Sequence, residues 1–152
     1  MIFDDLKRNI DQVRENLDAL IVKEMQNVSA EVIDINIRQL EEGIARDGGI
    51  LGEYESDEYA EFKQSIGSKA PHGIVDTKLE GDFHAGFYTE EYIGNSPGQS
   101  GLFIDSTDEK AGKLESRYPG IYGIAPENEA EFVELFIDYA LNKIADEITN
   151  IN

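Results

Sequence analysis

Apolar positions at the start of the chain recur by threes and fours: Phe3, Leu6, Ile10, Val13, Leu17 and Leu20. Between them lie Asp4, Asp5, Lys7, Arg8, Asp11, Arg14 and Glu15. A stripe of that period with a charged remainder is the signature of an amphipathic helix, and it predicts one helix over residues 2–26. Its seven-residue repeat also suits a seam against another helix. A second helix is predicted after Ser29 as cap, carried by Ile33, Ile37, Leu40 and Ile44 and stopped at the glycines of "RDGG". Strict alternation of Ile33, Ile35 and Ile37 leaves a strand open at the same place.

Residues 50–54 suit a short extended piece. Ser56 then caps a helix over "DEYAEFKQSIG", with Gly67 beyond its end, and Pro71 and Gly73 mark a loop. Two strands, "AGFYTEEYI" and "SGLFIDS", follow, joined by the turn-rich "GNSPGQ". Ser106 and Glu109 have the spacing of a capping box for a helix that ends before Pro119. Pro126 opens the final helix, with an acidic first turn and an apolar face of Phe132, Val133, Phe136, Ala140, Ile144 and Ile148. The order of elements predicts an α+β fold, with amphipathic helices packed on a small antiparallel sheet. A single domain over 1–152 fits the length, with residues 1–26 able to act as an interaction arm.

"LEGDFHAGF", residues 79–87, is the densest local signal. Gly81 opens a helical turn, Phe83 anchors it, and Gly86 permits the change into a strand that starts near Phe87. These residues are expected to be architectural.

Charge changes the picture most. Thirteen basic residues stand against 32 acidic ones, a net charge of −19. Direct binding to nucleic acid or to an anionic membrane is disfavoured. No apolar run approaches the length of a membrane span, and the start lacks the pattern of a signal peptide, so the cytosol is the default expectation. The absence of cysteine removes disulfides, thiolate metal sites and cysteine nucleophiles.

Candidate chemistry is sparse. His72 and His84, with Asp76 and Asp82 nearby, match no common metal spacing. "DSTDEK" carries oxygen ligands, but Lys110 and Ser116 stand where a calcium loop needs glycine and glutamate. Carboxylate pairs are uninformative among so many acids. No catalytic residue, cofactor site or metal site is therefore assigned. "RYPGIYGI" offers Tyr118 and Tyr122 either as contact residues or as the edge of the core.

The 79–87 stretch resembles a pattern found in tail-completion and head–tail joining proteins of tailed bacteriophages, Asp-Thr-Gly-x-Leu-x-x-Ser-Ile. Gly81 is identical, while Glu80, Phe83, Gly86 and Phe87 stand for Thr, Leu, Ser and Ile. Lys63 lies in the helix upstream. Downstream, "IDSTDEKAGKLESRYPGIYGI" is similar to versions from phages of gut Bacteroidetes. The resemblance spans roughly residues 35–136. It implies a virion structural protein without cofactor, present in the host cytoplasm during assembly. Such a protein would form a homo-oligomeric ring in the neck or tail and contact other neck, portal or tail proteins. The expected contact residues are Phe3, Leu6, Ile10, Val13 and Leu17 of the first helix, Asn95, Ser96 and Pro97 of the hairpin loop, and Tyr118 and Tyr122. An acidic DNA mimic and a small carboxylate-dependent hydrolase are the competing expectations.

Overall fold

The computed structural model describes residues 2–78, 81–96 and 98–149. Three helices follow one another at the start: α1 (Ile2–Glu15), α2 (Leu17–Asn27) and α3 (Ser29–Glu41). Next come α4 (Asp57–Ser65), the single turn α5 (Asp82–Ala85), strands β1 (Phe87–Tyr92) and β2 (Gly101–Ser106), α6 (Ala111–Arg117) and α7 (Pro126–Thr149). β1 and β2 pair antiparallel, Phe87 opposite Ser106 and Tyr92 opposite Gly101. This is the α+β architecture that the hydrophobic pattern predicts.

The predicted first helix is in fact two. At Asn16 the backbone leaves helical geometry (φ −110°, ψ 14°). The Asn16 side chain donates to the Gln12 carbonyl at 2.9 Å, competing with the backbone for that acceptor. A second break falls at Val28, so Ser29 is the first residue of α3 and not its cap. The broken rod runs back along α7. Asn128 Nδ2 donates to Gln39 Oε1 at 3.2 Å near one end, and Asn9 Nδ2 donates to the Ile148 carbonyl at 3.2 Å near the other.

α3 is a helix and not a strand, and it is buried on two sides. Ile33, Ile37 and Leu40 pack on the main core, which gathers Leu51, Val75, Phe83, Phe87 and Ile121. Val32, Ile35, Asn36 and Gln39 are buried as well. Burial on both sides explains why its isoleucines mimic a strand's alternation. α3 stops at Glu41, earlier than the "RDGG" glycines, because Gly43 takes φ 77°. Ile44 instead bridges to Ile50 across the turn that those glycines make.

Further on, Ser56 caps α4, its Oγ accepting from the Tyr59 N–H at 3.3 Å. The capping box at Ser106 and Glu109 does not form. Ser106 is still paired in β2, and its hydroxyl donates to the Phe83 carbonyl at 3.1 Å. Glu109 is exposed, and α6 begins only at Ala111. On α7, Val133 turns outward (47% exposed) while Phe132, Leu135, Phe136 and Ala140 face inward.

At Gly43 a Cβ would meet Ile74 Cγ2 at 2.5 Å and the Val75 carbonyl at 3.1 Å, on a backbone that L-residues avoid. Strain and overpacking together put the cost of Gly43→Ala at about 2–4 kcal/mol. A urea midpoint unchanged from the parent would contradict this.

Candidate functional site

α5 and its passage into β1 are closely packed. Gly81 (φ 92°) opens the turn, and Phe83 and Phe87 meet edge to face at 4.9 Å. Gly86 passes so close to β2 that a Cβ there would lie 2.7 Å from Ser106 Oγ. The architectural roles expected of Gly81, Phe83, Gly86 and Phe87 follow from these contacts. Leu79, Glu80 and Pro97 lie outside the described residues.

Beside this turn is a cleft of about 540 Å³ between α4, residues 75–78 and 81–83, and α6. Its floor is an ion pair: Lys63 Nζ lies 2.7 Å from Asp76 Oδ1, and both side chains are nearly sealed from solvent. Burying two charges is costly unless every remaining lone pair and proton is matched. Here Asp76 accepts from the Tyr54 hydroxyl (3.0 Å), the Ser68 hydroxyl (2.6 Å) and the Lys78 N–H (3.1 Å). Lys63 also donates to the Lys78 carbonyl. Burial by itself would raise the Asp76 carboxyl, but the hydrogen bonds from Lys63, Ser68 and Lys78 hold it below the usual range. A general acid needs the opposite shift. The network ties the 68–78 loop to α4.

Glu41 joins the same surface, bridging Lys69 (2.6 Å) and Lys78, and the hydrogen bond from Lys69, then that from Lys78, lowers its carboxyl. His84 is buried against Phe83 and Phe87, with Nε2 3.1 Å from Thr77 Oγ1. Thr77 takes φ 52°, rare for a β-branched residue. Desolvation pushes the imidazole below its ordinary value. His72, by contrast, lies exposed in the 71–74 turn. Among the described residues no cluster of His, Asp and Glu is arranged to hold a metal ion.

The expected contact residues divide. Phe3 (81% exposed), Ile10 and Leu17 face outward, whereas Leu6 and Val13 are half-buried, and Asn9 is buried between them. Asn95 and Ser96 are exposed, and the loop is fastened to α2 by Asp18, which accepts from the Gly98 N–H (3.2 Å) and Ser100 hydroxyl (3.1 Å). Tyr118 lines the cleft. Tyr122 turns into the core against Phe87, ring centroids 5.5 Å apart, so it is a packing residue and not a surface contact. On the outer face of the hairpin Tyr92 and Phe103 meet at 5.5 Å, both exposed, a pair that the sequence reading did not single out. Their alternation with the inner residues was the available signal. No described helix is long and apolar enough to cross a membrane. Comparison with known proteins adds no relative: no family model matches the chain, nor does any curated protein or solved structure.

Removing Asp76 alone strands the buried Lys63 charge. Asp76→Asn is expected to cost about 3–5 kcal/mol, and the double change Lys63→Met with Asp76→Leu much less than the two single changes combined. Strict additivity in urea unfolding would contradict the coupling. His84 supplies a pH test. Its folded pKa lies below the ordinary 6.5, so its contribution is complete above that value. It is lost as pH falls toward the folded pKa, because the unfolded chain takes up the proton first. The parent should therefore lose stability relative to His84→Gln between about pH 7.5 and about pH 5.5. Parallel stability curves would rule this out.

Proposed function

We propose that this chain is a virion structural protein of a tailed phage, forming a ring of identical copies in the neck or tail. The observation that carries the reading is the outward stripe Phe3, Ile10 and Leu17 on α1 and α2. The intervening residues Leu6, Val13 and Leu20 turn toward the chain's own helices, so half of a seven-residue repeat is spent on folding and half is left for a neighbour. A separate apolar face lies on the hairpin, at Tyr92, Ile93 and Phe103. Two unlike faces on one chain are what head-to-tail closure into a ring requires. The resemblance around Gly81 to neck and tail-completion proteins supports the same reading.

Charge governs the conditions. Copies at −19 repel one another, and moderate salt screens that repulsion without reaching buried contacts. Sedimentation velocity of the purified chain should therefore reveal one closed oligomer favoured by moderate salt. Phe3→Asp with Ile10→Asp should return it to monomer with an unchanged circular dichroism spectrum, since both residues are exposed. An oligomer that ignores the double substitution would contradict the role given to the stripe.

A further inference from the structure

The core covers α1 and α7 least. Among the described residues, Asn9 is the one buried member of α1 and Ala140 that of α7. Both helices are nonetheless rich in apolar residues. Leu6 and Val13 of α1 are half-buried, as are Phe132, Phe136, Ile144 and Ile148 of α7. Beside the inward row Phe132, Phe136, Ala140 and Ile144, a second row stands exposed: Val133, Ile137 (44%) and Leu141 (58%). Each of its members is one residue on from the inward row, a rotation of about 100° about the helix axis. On α1, Ile10 likewise stands one residue on from the buried Asn9, and Phe3 lies two turns before it on the same side.

α1 and α7 pack on each other and run in opposite directions, since Gln39 meets Asn128 near the start of α7 and Asn9 meets Ile148 near its end. Antiparallel neighbours are related by a local two-fold axis normal to their plane, and that axis preserves the rotational sense of a row. The two exposed rows therefore face the same side and make one apolar surface. At roughly 200 Å² per residue, Phe3, Ile10, Val133, Ile137 and Leu141 leave roughly 500 Å² uncovered there. That matches the apolar part of a standard interface, rather more than half of about 800 Å² per partner. A two-helix layer with one apolar side open is half of a four-helix bundle, and a second copy of the layer completes it. Charge sets the arrangement. α7 carries seven acids and one lysine, whereas α1 carries four acids and three basic residues. Stacking α7 on α7 would set the most acidic helix against itself, and stacking α1 on α7 avoids this. We propose that the free chain is a two-fold dimer in which the α1–α7 layers of two copies stack, α1 of each over α7 of the other. Such a contact is isologous, made twice by the same surface. It goes beyond the ring reading: the pair covers the stripe that a ring contact would use, so it must open before a ring closes.

Sedimentation velocity of the full-length chain should give a dimer. Ile137→Asp with Leu141→Asp should return it to monomer with an unchanged circular dichroism spectrum, while Phe103→Asp on the hairpin should leave it paired. The cysteine-free sequence lets the arrangement be read with milder changes. Two single-thiol variants are mixed, Arg14→Cys on α1 and Ala145→Cys, which continues the exposed row of α7. A short bis-maleimide should give the hybrid several-fold more often than the link between two Ala145→Cys chains. An excess of that second link would overturn the stacking of α1 on α7. A larger oligomer that survives the two α7 substitutions but not those at Phe3 and Ile10 would overturn the pair and leave the ring reading standing. A chain that stays monomeric at every salt and protein concentration would overturn the pair and the self-assembly of the purified chain together.

Discussion

Two buried amides on α3 hold the halves of the chain together. Asn36 donates to the Ile121 carbonyl at 3.1 Å and accepts from the Gly123 N–H at 3.2 Å. Gln39 donates to the Gly123 carbonyl at 3.0 Å and accepts from the Ala125 N–H at 2.7 Å. The two side chains satisfy an irregular backbone segment that crosses the core with no strand beside it. Each such group, if left unpaired, would cost about 1–3 kcal/mol. The clasp seats Ile121, which is fully buried, and delivers Pro126 to the start of α7. From there α7 can run back along α3, α2 and α1. Tyr118, on the near side of the clasp, is thereby brought to the cleft wall.

With the core closed in this way, the polar and apolar surfaces are left in an unusual arrangement. Most acids are spread over the outside, while a buried lysine and aspartate lie beneath an aromatic cleft. Apolar residues that a monomer would be expected to bury stand out on α1 and on the hairpin. Taken singly, exposed apolar side chains need no explanation. Here they repeat at seven-residue intervals along α1 and α2 and pair across one hairpin face, an ordering that supports the proposed interface. The Lys63–Asp76 network contributes rigidity at the cleft floor, so the walls keep one shape.

Much of this was legible in the sequence where local chemistry and burial agree. Pro126 with its acidic first turn marked α7, Ser56 marked α4, and the alternation on either side of "GNSPGQ" marked the hairpin. The glycines and phenylalanines of residues 81–87 announced a joint and proved to be one. The failures have physical causes. Asn16 breaks the first helix through a side-chain hydrogen bond that periodicity does not register. Ser106 has the right spacing for a cap, but pairing with Phe87 claims it first. Gly43 stops α3 before the more conspicuous glycines because only there does the chain turn against Ile74. The ion pair joins residues thirteen apart in sequence, one on a helix and one in a loop, and no local pattern advertises it. The burial of His84 carries no local signal, because the turn that buries it is only four residues long. The cleft was invisible for the same reason, since its walls come from three separated segments.

The claim on which the functional account stands is that the chain is a part of the virion. Quantitative mass spectrometry of purified particles of a phage encoding it, counted against the major capsid protein, tests this most directly. The account predicts a low, fixed copy number consistent with one ring or a few. Absence of the chain from particles that contain the full set of capsid and tail proteins would contradict it.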